Sequence, residues 1–183
     1  YYPDTAPVPE GVAVNVRNRS FKILANVEIT DPDASGVIFA HGSRFGGHSL
    51  FIKDRKLHYV YNFLGIPPEQ DFVSSEELKP GKYTFGMEFT REKSGEHGES
   101  IGQMKLYVND KVVAEGPLRT QPGKFTLSGD GLCIGYDSGD AVSQDYQAPG
   151  KFQGGTIQAV GVTVEKASYS DLEKEAQRAL MRD

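Results

Sequence analysis

Two sets of residues have the types and spacing that could do chemistry. The first is Asp137, Asp140 and Asp145 in YDSGDAVSQDY, with Ser138 and backbone carbonyls close by. A flexible acidic loop of this kind is a source of calcium ligands, since calcium takes about six to eight oxygens. The spacing is not that of an EF-hand and the closing Glu is missing, so turn-capping by the same Asp side chains is the competing expectation. The second set is aromatic: Tyr59, Tyr61, Tyr136 and Tyr146, with His48 and His58 as hydrogen-bond donors, could form a glycan-binding surface. The chain has no Trp, the usual sugar platform, and tyrosines alternating along a strand also suit a half-buried core with satisfied hydroxyls. His41, His48, His58 and His97 are too scattered for a zinc motif. His48 and His58 are expected to pair across a hairpin centred near Asp54-Arg55.

Catalytic carboxylates are harder to find. Glycoside hydrolysis needs two acids on neighbouring positions. Glu76 and Glu77 are adjacent, so a strand sends them to opposite faces. Glu88 has no acid two residues away, and Pro32 between Asp31 and Asp33 makes a turn. Glycines never assemble into a nucleotide-binding fingerprint. The chain alone is therefore expected to have no enzymatic activity. The single cysteine, Cys133, excludes an intrachain disulfide, and its setting in GLCIG suggests a buried, inert thiol. A net charge of −5 without a Lys/Arg cluster argues against a nucleic-acid partner. No apolar run has the length of a bilayer-spanning helix, so no membrane partner is expected. The compartment is left open.

The elements that must position these residues are mostly strands. Phe21, Ile23, Ala25, Val27 and Ile29 alternate with Lys22, Asn26 and Glu28, which is a strand with one wet face. KYTFGMEFT, QMKLYVND and TIQAVGVTVE follow the same rule. SLFIKDRKLHYV and KLYVNDKVVAE read as hairpins turning at Asp54-Arg55 and Asn109-Asp110. Neither turn carries the glycine that positive φ favours, so each is expected to be strained or one residue longer. Leu57, Tyr59 and Tyr61 share one face of their strand, and His58, Val60 and Asn62 the other. Twenty-one glycines and ten prolines scattered between short apolar runs imply many turns. The expected fold is all-β, an antiparallel jelly-roll β-sandwich of about a dozen strands with a short C-terminal α-helix. Residues 1–11 read as an extended lead-in or linker remnant, 12–166 as the sandwich, and 167–183 as the helix. Ser170 and Glu173 form its capping box, and Leu172, Ala176, Ala179 and Leu180 its apolar stripe. The absence of an initiator Met suggests a fragment or a processed chain.

FGGHSLFIKDRKLHYVYNFLG, LKPGKYTFGMEFT, LYVNDKVVAEGPLRTQPGKFTLSGDGLCIGYDSGDAVSQDY and KFQGGTIQAVGVTV occur in this order. Together they resemble the C-terminal part of bacterial arylsulfatases, from roughly Pro7 to the final helix. The resemblance implies a concanavalin A-like sandwich of the lectin and glucanase type, set beside a catalytic domain that hydrolyses sulfate esters. The family's Cys-x-Pro-x-Arg signature is absent, because Cys133 is followed by Ile134, Gly135 and Tyr136. No sulfatase site residue therefore carries over. The implied role is that of a non-catalytic accessory domain, whose partner is the catalytic sulfatase domain or a second copy of the chain. Phe63, Leu64, Ile66 and Phe72 in FLGIPPEQDF are candidates for that contact. The alternative is a calcium-assisted carbohydrate-binding module for a sulfated glycan. Calcium is the one cofactor this alternative would bring in.

Overall fold

A computed structural model describes residues 1–129 and 131–165. Among them are ten strands and no helix. In chain order these are β1 (Phe21–Ile29), β2 (Gly36–Ser43), β3 (Gly46–Lys53), β4 (Lys56–Asn62), β5 (Gln70–Val73), β6 (Gly81–Ser94), β7 (Ser100–Val108), β8 (Lys111–Thr120), β9 (Leu132–Ile134) and β10 (Gly155–Val164). They form two five-stranded antiparallel sheets, ordered β10-β1-β6-β7-β8 and β5-β4-β3-β2-β9. The C-terminal helix expected over 167–183 lies outside the described residues.

Alternation builds the core. Phe21, Ile23, Phe85, Met87 and Phe89 of the first sheet meet Phe39, Leu50, Ile52, Leu57 and Tyr59 of the second in one buried cluster. Burying side chains of this size contributes on the order of 1.5–3 kcal/mol each. Pro117 has no N–H to donate to a ladder and accordingly lies in β8, at a sheet edge. The two edges are clasped by Gln70 of β5, which donates to the Arg119 carbonyl (2.8 Å) and accepts from the Arg119 N–H (2.8 Å). Residues 1–11 do not trail away. Val8 exchanges backbone bonds with Leu132 of β9 (2.9 and 2.8 Å), and Val160 of β10 donates to the Tyr1 carbonyl (3.0 Å).

The β3–β4 hairpin corrects one expectation. Lys53 pairs with Lys56 across a two-residue turn, and Asp54 and Arg55 both take positive φ, 49° and 60°. That register sets His48 opposite Tyr61 and His58 opposite Phe51. The two histidines lie an even number of residues apart on facing strands of a two-residue hairpin. They therefore project to opposite faces of the sheet and cannot pair.

The outer face of the second sheet is also covered. Val37, Ala40, Phe51 and Val60 form a second buried cluster with Val142, and Tyr146 packs against it. Val142 and Tyr146 belong to the long connection 135–154, which straps this face. Its return onto β2 needs a glycine at Gly36, whose φ is 107°. A Cβ there would stand 2.4 Å from the Lys151 carbonyl oxygen.

Candidate functional site, a cleft at one end of the sandwich

The strap is fixed by buried polar contacts. Asp137, only 1% exposed, accepts hydrogen bonds from the Val142 N–H (2.9 Å) and the Tyr146 hydroxyl (2.6 Å). The Tyr146 oxygen also lies 2.9 Å from Ser49 Oγ on β3. Burial, and then the charge of Asp137, push the Tyr146 hydroxyl far above its ordinary pKa. Asn62 of β4 donates to the Val142 carbonyl (3.0 Å), and Glu69 accepts from the Ser143 hydroxyl (2.8 Å) and the Gln144 N–H (2.9 Å). Lys53 pairs with Asp145, whose hydrogen bond raises the Lys53 pKa. The strap is thus pinned to β3, β4 and the β4–β5 connection.

Where the strap meets the β2–β3 turn and the β4–β5 connection, a cleft of about 730 Å³ opens. Its walls include Arg44, Phe45, Ile66, Glu69, Asp140, Gln144 and Tyr146. Ser43 pairs with Gly46, so Arg44 and Phe45 form a two-residue turn with no core to enter. Phe45 is 56% exposed and Ile66 51%. The Arg44 guanidinium lies 4.8 Å from the Phe45 ring centre and 3.6 Å from an Asp140 oxygen. Two carboxylates against one guanidinium leave the walls slightly acidic.

The residues singled out from sequence do not converge. His48, Tyr59 and Tyr61 are buried on the inner face, where His48 Nδ1 lies 3.1 Å from the Tyr59 hydroxyl and Tyr61 accepts from the Gln121 N–H (3.0 Å). No glycan can reach them. Period-two alternation delivers them to the core, as it does their neighbours Leu50 and Leu57. Burial, and then the neighbouring His41, hold the His48 pKa well below its usual range. His58 lies on the opposite face, stacked on Phe51 at 4.9 Å. Tyr136 is at a different cleft of about 380 Å³, its hydroxyl bonded to the Thr5 carbonyl (2.8 Å). Of the six proposed surface residues, Tyr146 is the one lining the large cleft.

The acids also separate. Asp137 is turned inward, Asp140 faces Arg44 and Asp145 faces Lys53, so the three do not fit as the carboxylates of one calcium site. Among the described residues, the group of three whose ligand atoms lie within 4.8 Å of one another is His58, Asp71 and Asp145. In FLGIPPEQDF, Phe63 is buried beneath the Arg119 guanidinium, 4.0 Å from the ring centre, and Ile66 is the exposed member. Cys133 is buried, with Sγ 3.2 Å from Ser138 Oγ. Sequence reasoning missed Arg44, Phe45, Glu69 and Gln144. The available signal was RFGG, an aromatic ring set in a turn between two apolar runs.

No family model matches the chain, and no curated protein matches it in sequence. Among solved structures the chain is similar to domains LG4-5 of the mouse laminin alpha1 chain. The TM-score is 0.55 at 13% identity, over 90% of this chain and 42% of that one. It is also similar to the LG1-3 region of the laminin alpha2 chain, with a TM-score of 0.52 at 11% identity, over 90% of this chain and 31% of that one. The chain spans less than half the length of either. At such identities the likeness is one of fold, a concanavalin A-like sandwich. Neither of these two structures gives support for a sulfatase parent.

Proposed function

We propose that the chain is a non-catalytic binding module whose end cleft takes a neutral, hydroxyl-rich ligand of the oligosaccharide class. One observation carries this: a large aromatic ring, Phe45, stands exposed at the rim of a cleft of about 730 Å³ among hydrogen-bonding side chains. Sugars present an apolar face and a ring of hydroxyls, and such a wall satisfies both. The acidic balance of Glu69 and Asp140 over Arg44 favours a neutral glycan over the sulfated one considered from sequence. Calcium has no part in this reading. Nor has catalysis, since the candidate acids are otherwise engaged: Glu76 with Lys111, Glu77 with Arg55, and Glu88 with Lys22.

Calorimetric titration with a panel of neutral and sulfated oligosaccharides tests this. A neutral member is expected to bind with a Kd near about 1 mM or tighter, some 4 kcal/mol. Phe45→Ala should weaken it roughly fivefold, the equivalent of about 1 kcal/mol of stacking. A panel without binders, or a variant that binds as the parent does, would remove the proposal.

A second reading has its own support. Phe125 is also exposed, and the backbone next to it is tied to the β2–β3 turn through Ser128 N–H to the Gly46 carbonyl (3.1 Å). Phe45, Ile66 and Phe125 could then serve as the docking face of an accessory domain, toward a sulfatase-type catalytic domain or a second copy.

A further inference from the structure

We propose that His58, Asp71 and Asp145 form a binding site for a zinc-class divalent transition metal, for which the Lys53 ammonium is a built-in competitor. The inference does not depend on the end cleft. It starts from His58, which is 9% exposed and whose Nδ1 is buried without a hydrogen-bond partner. The ring is held by stacking on Phe51, with the planes 15° apart, so the nitrogen has a fixed direction. That direction is toward Asp71, whose Oδ1 lies 3.4 Å away, too far and misaligned for a good hydrogen bond. It is the right separation for something else. Two ligands each about 2.05 Å from a tetrahedral zinc stand roughly 3.3 Å apart.

Asp145 completes the set, since one ligand atom from each residue lies within 4.8 Å of the others. Rotation of a part-exposed carboxylate closes the remaining gap. The side chains of Asp71 and Asp145 are 33% and 34% exposed, which leaves an entry path and room for a water as fourth ligand. One imidazole and two carboxylates suit zinc, manganese or nickel, whereas calcium and magnesium prefer oxygen alone. A positive charge already stands at this point: the ammonium of Lys53 pairs with Asp145, and Asp54 and Asp71 act on it as well. Its side chain is 40% exposed and free to swing outward. A metal in its place would join the strap, through Asp145, to β4 and β5 through His58 and Asp71. Binding would therefore stabilise the fold by mass action.

The test uses the full chain stripped with EDTA and titrated with zinc chloride, followed by calorimetry and thermal unfolding. One zinc per chain is expected, with a raised melting temperature, and calcium should leave that temperature unchanged. Lys53→Met should bind zinc at least tenfold more tightly. His58→Gln and Asp145→Asn should each bind it at least tenfold more weakly. Asp145→Asn changes a part-exposed loop side chain, so it decides the matter if His58→Gln fails to fold. Absence of zinc uptake by the parent chain overturns the proposal, even if Lys53→Met takes it up. Zinc bound unchanged by either ligand variant also overturns it.

Discussion

Tyr146 ties the strap to β3 through one oxygen, bonded to Asp137 within the strap and lying beside Ser49. Tyr146→Phe removes a hydrogen bond to a buried carboxylate and should cost about 1.5–3 kcal/mol. Urea unfolding measures it, and a loss below about 0.5 kcal/mol would mean that the strap is held elsewhere. His41 and His48 give a second prediction. Burial, and then the Arg17 charge, lower His41 from about 6.5 to about 4, and burial holds His48 lower than usual too. Both are neutral when folded, so the unfolded chain binds more protons at acid pH and stability falls as pH falls. The stabilisation is fully present above about pH 6.5 and is lost progressively toward about pH 4, on the order of 3 kcal/mol for His41 alone. Unfolding free energies taken from about pH 7.5 to about pH 5 should slope accordingly, and His41→Gln should reduce the slope. A flat profile would contradict the burial of both rings. These histidines were legible as polar residues in apolar strands. Their faces were not, because that required the turn length, which sets His48 against Tyr61.

At the scale of elements, alternation made β1, β6, β7 and β10 readable, since each has the length to display its period. β5 and β9 were harder. Four and three residues are too few to show a period, and β5 sits in what reads as a Pro-rich loop. The strap was obscured by its own composition: an acidic, Gly-rich stretch reads as solvated, yet its own Val142 and Asp137 are buried against the second sheet. The hairpin turn at Asp54-Arg55 carries a prediction of its own. Both residues hold positive φ without being glycine, a conformation that costs roughly 1 kcal/mol for an ordinary side chain. Arg55→Gly gives up a solvent-exposed ion pair with Glu77 at 3.0 Å, worth at most about 0.5–1 kcal/mol. It relieves one left-handed residue and supplies the glycine favoured in such turns, so the net effect should lie between zero and about +1 kcal/mol. A loss of more than about 1 kcal/mol in urea would show that the Arg55 side chain holds the hairpin.

At the scale of the whole molecule, two sheets close on one core, and the strap closes the outer face of the second sheet. A cleft of about 730 Å³ stays open at the end where Phe45, Ile66 and the strap meet. The sandwich follows from alternation alone. The cleft does not, because it is made by three connections whose approach depends on sheet order, and sheet order leaves no local mark in the sequence. A ligand cleft leaves the chain monomeric, whereas a docking face predicts association that Phe45→Ala would abolish, and light scattering across a concentration series separates the two. The most direct measurement is a backbone-amide NMR titration of the labelled chain with the neutral oligosaccharide panel. Shifts should be confined to residues 44–46, 62–69 and 139–148. Shifts centred instead on Tyr136 and Phe152, or none with any member at millimolar concentration, would contradict a binding module built on this end of the sandwich.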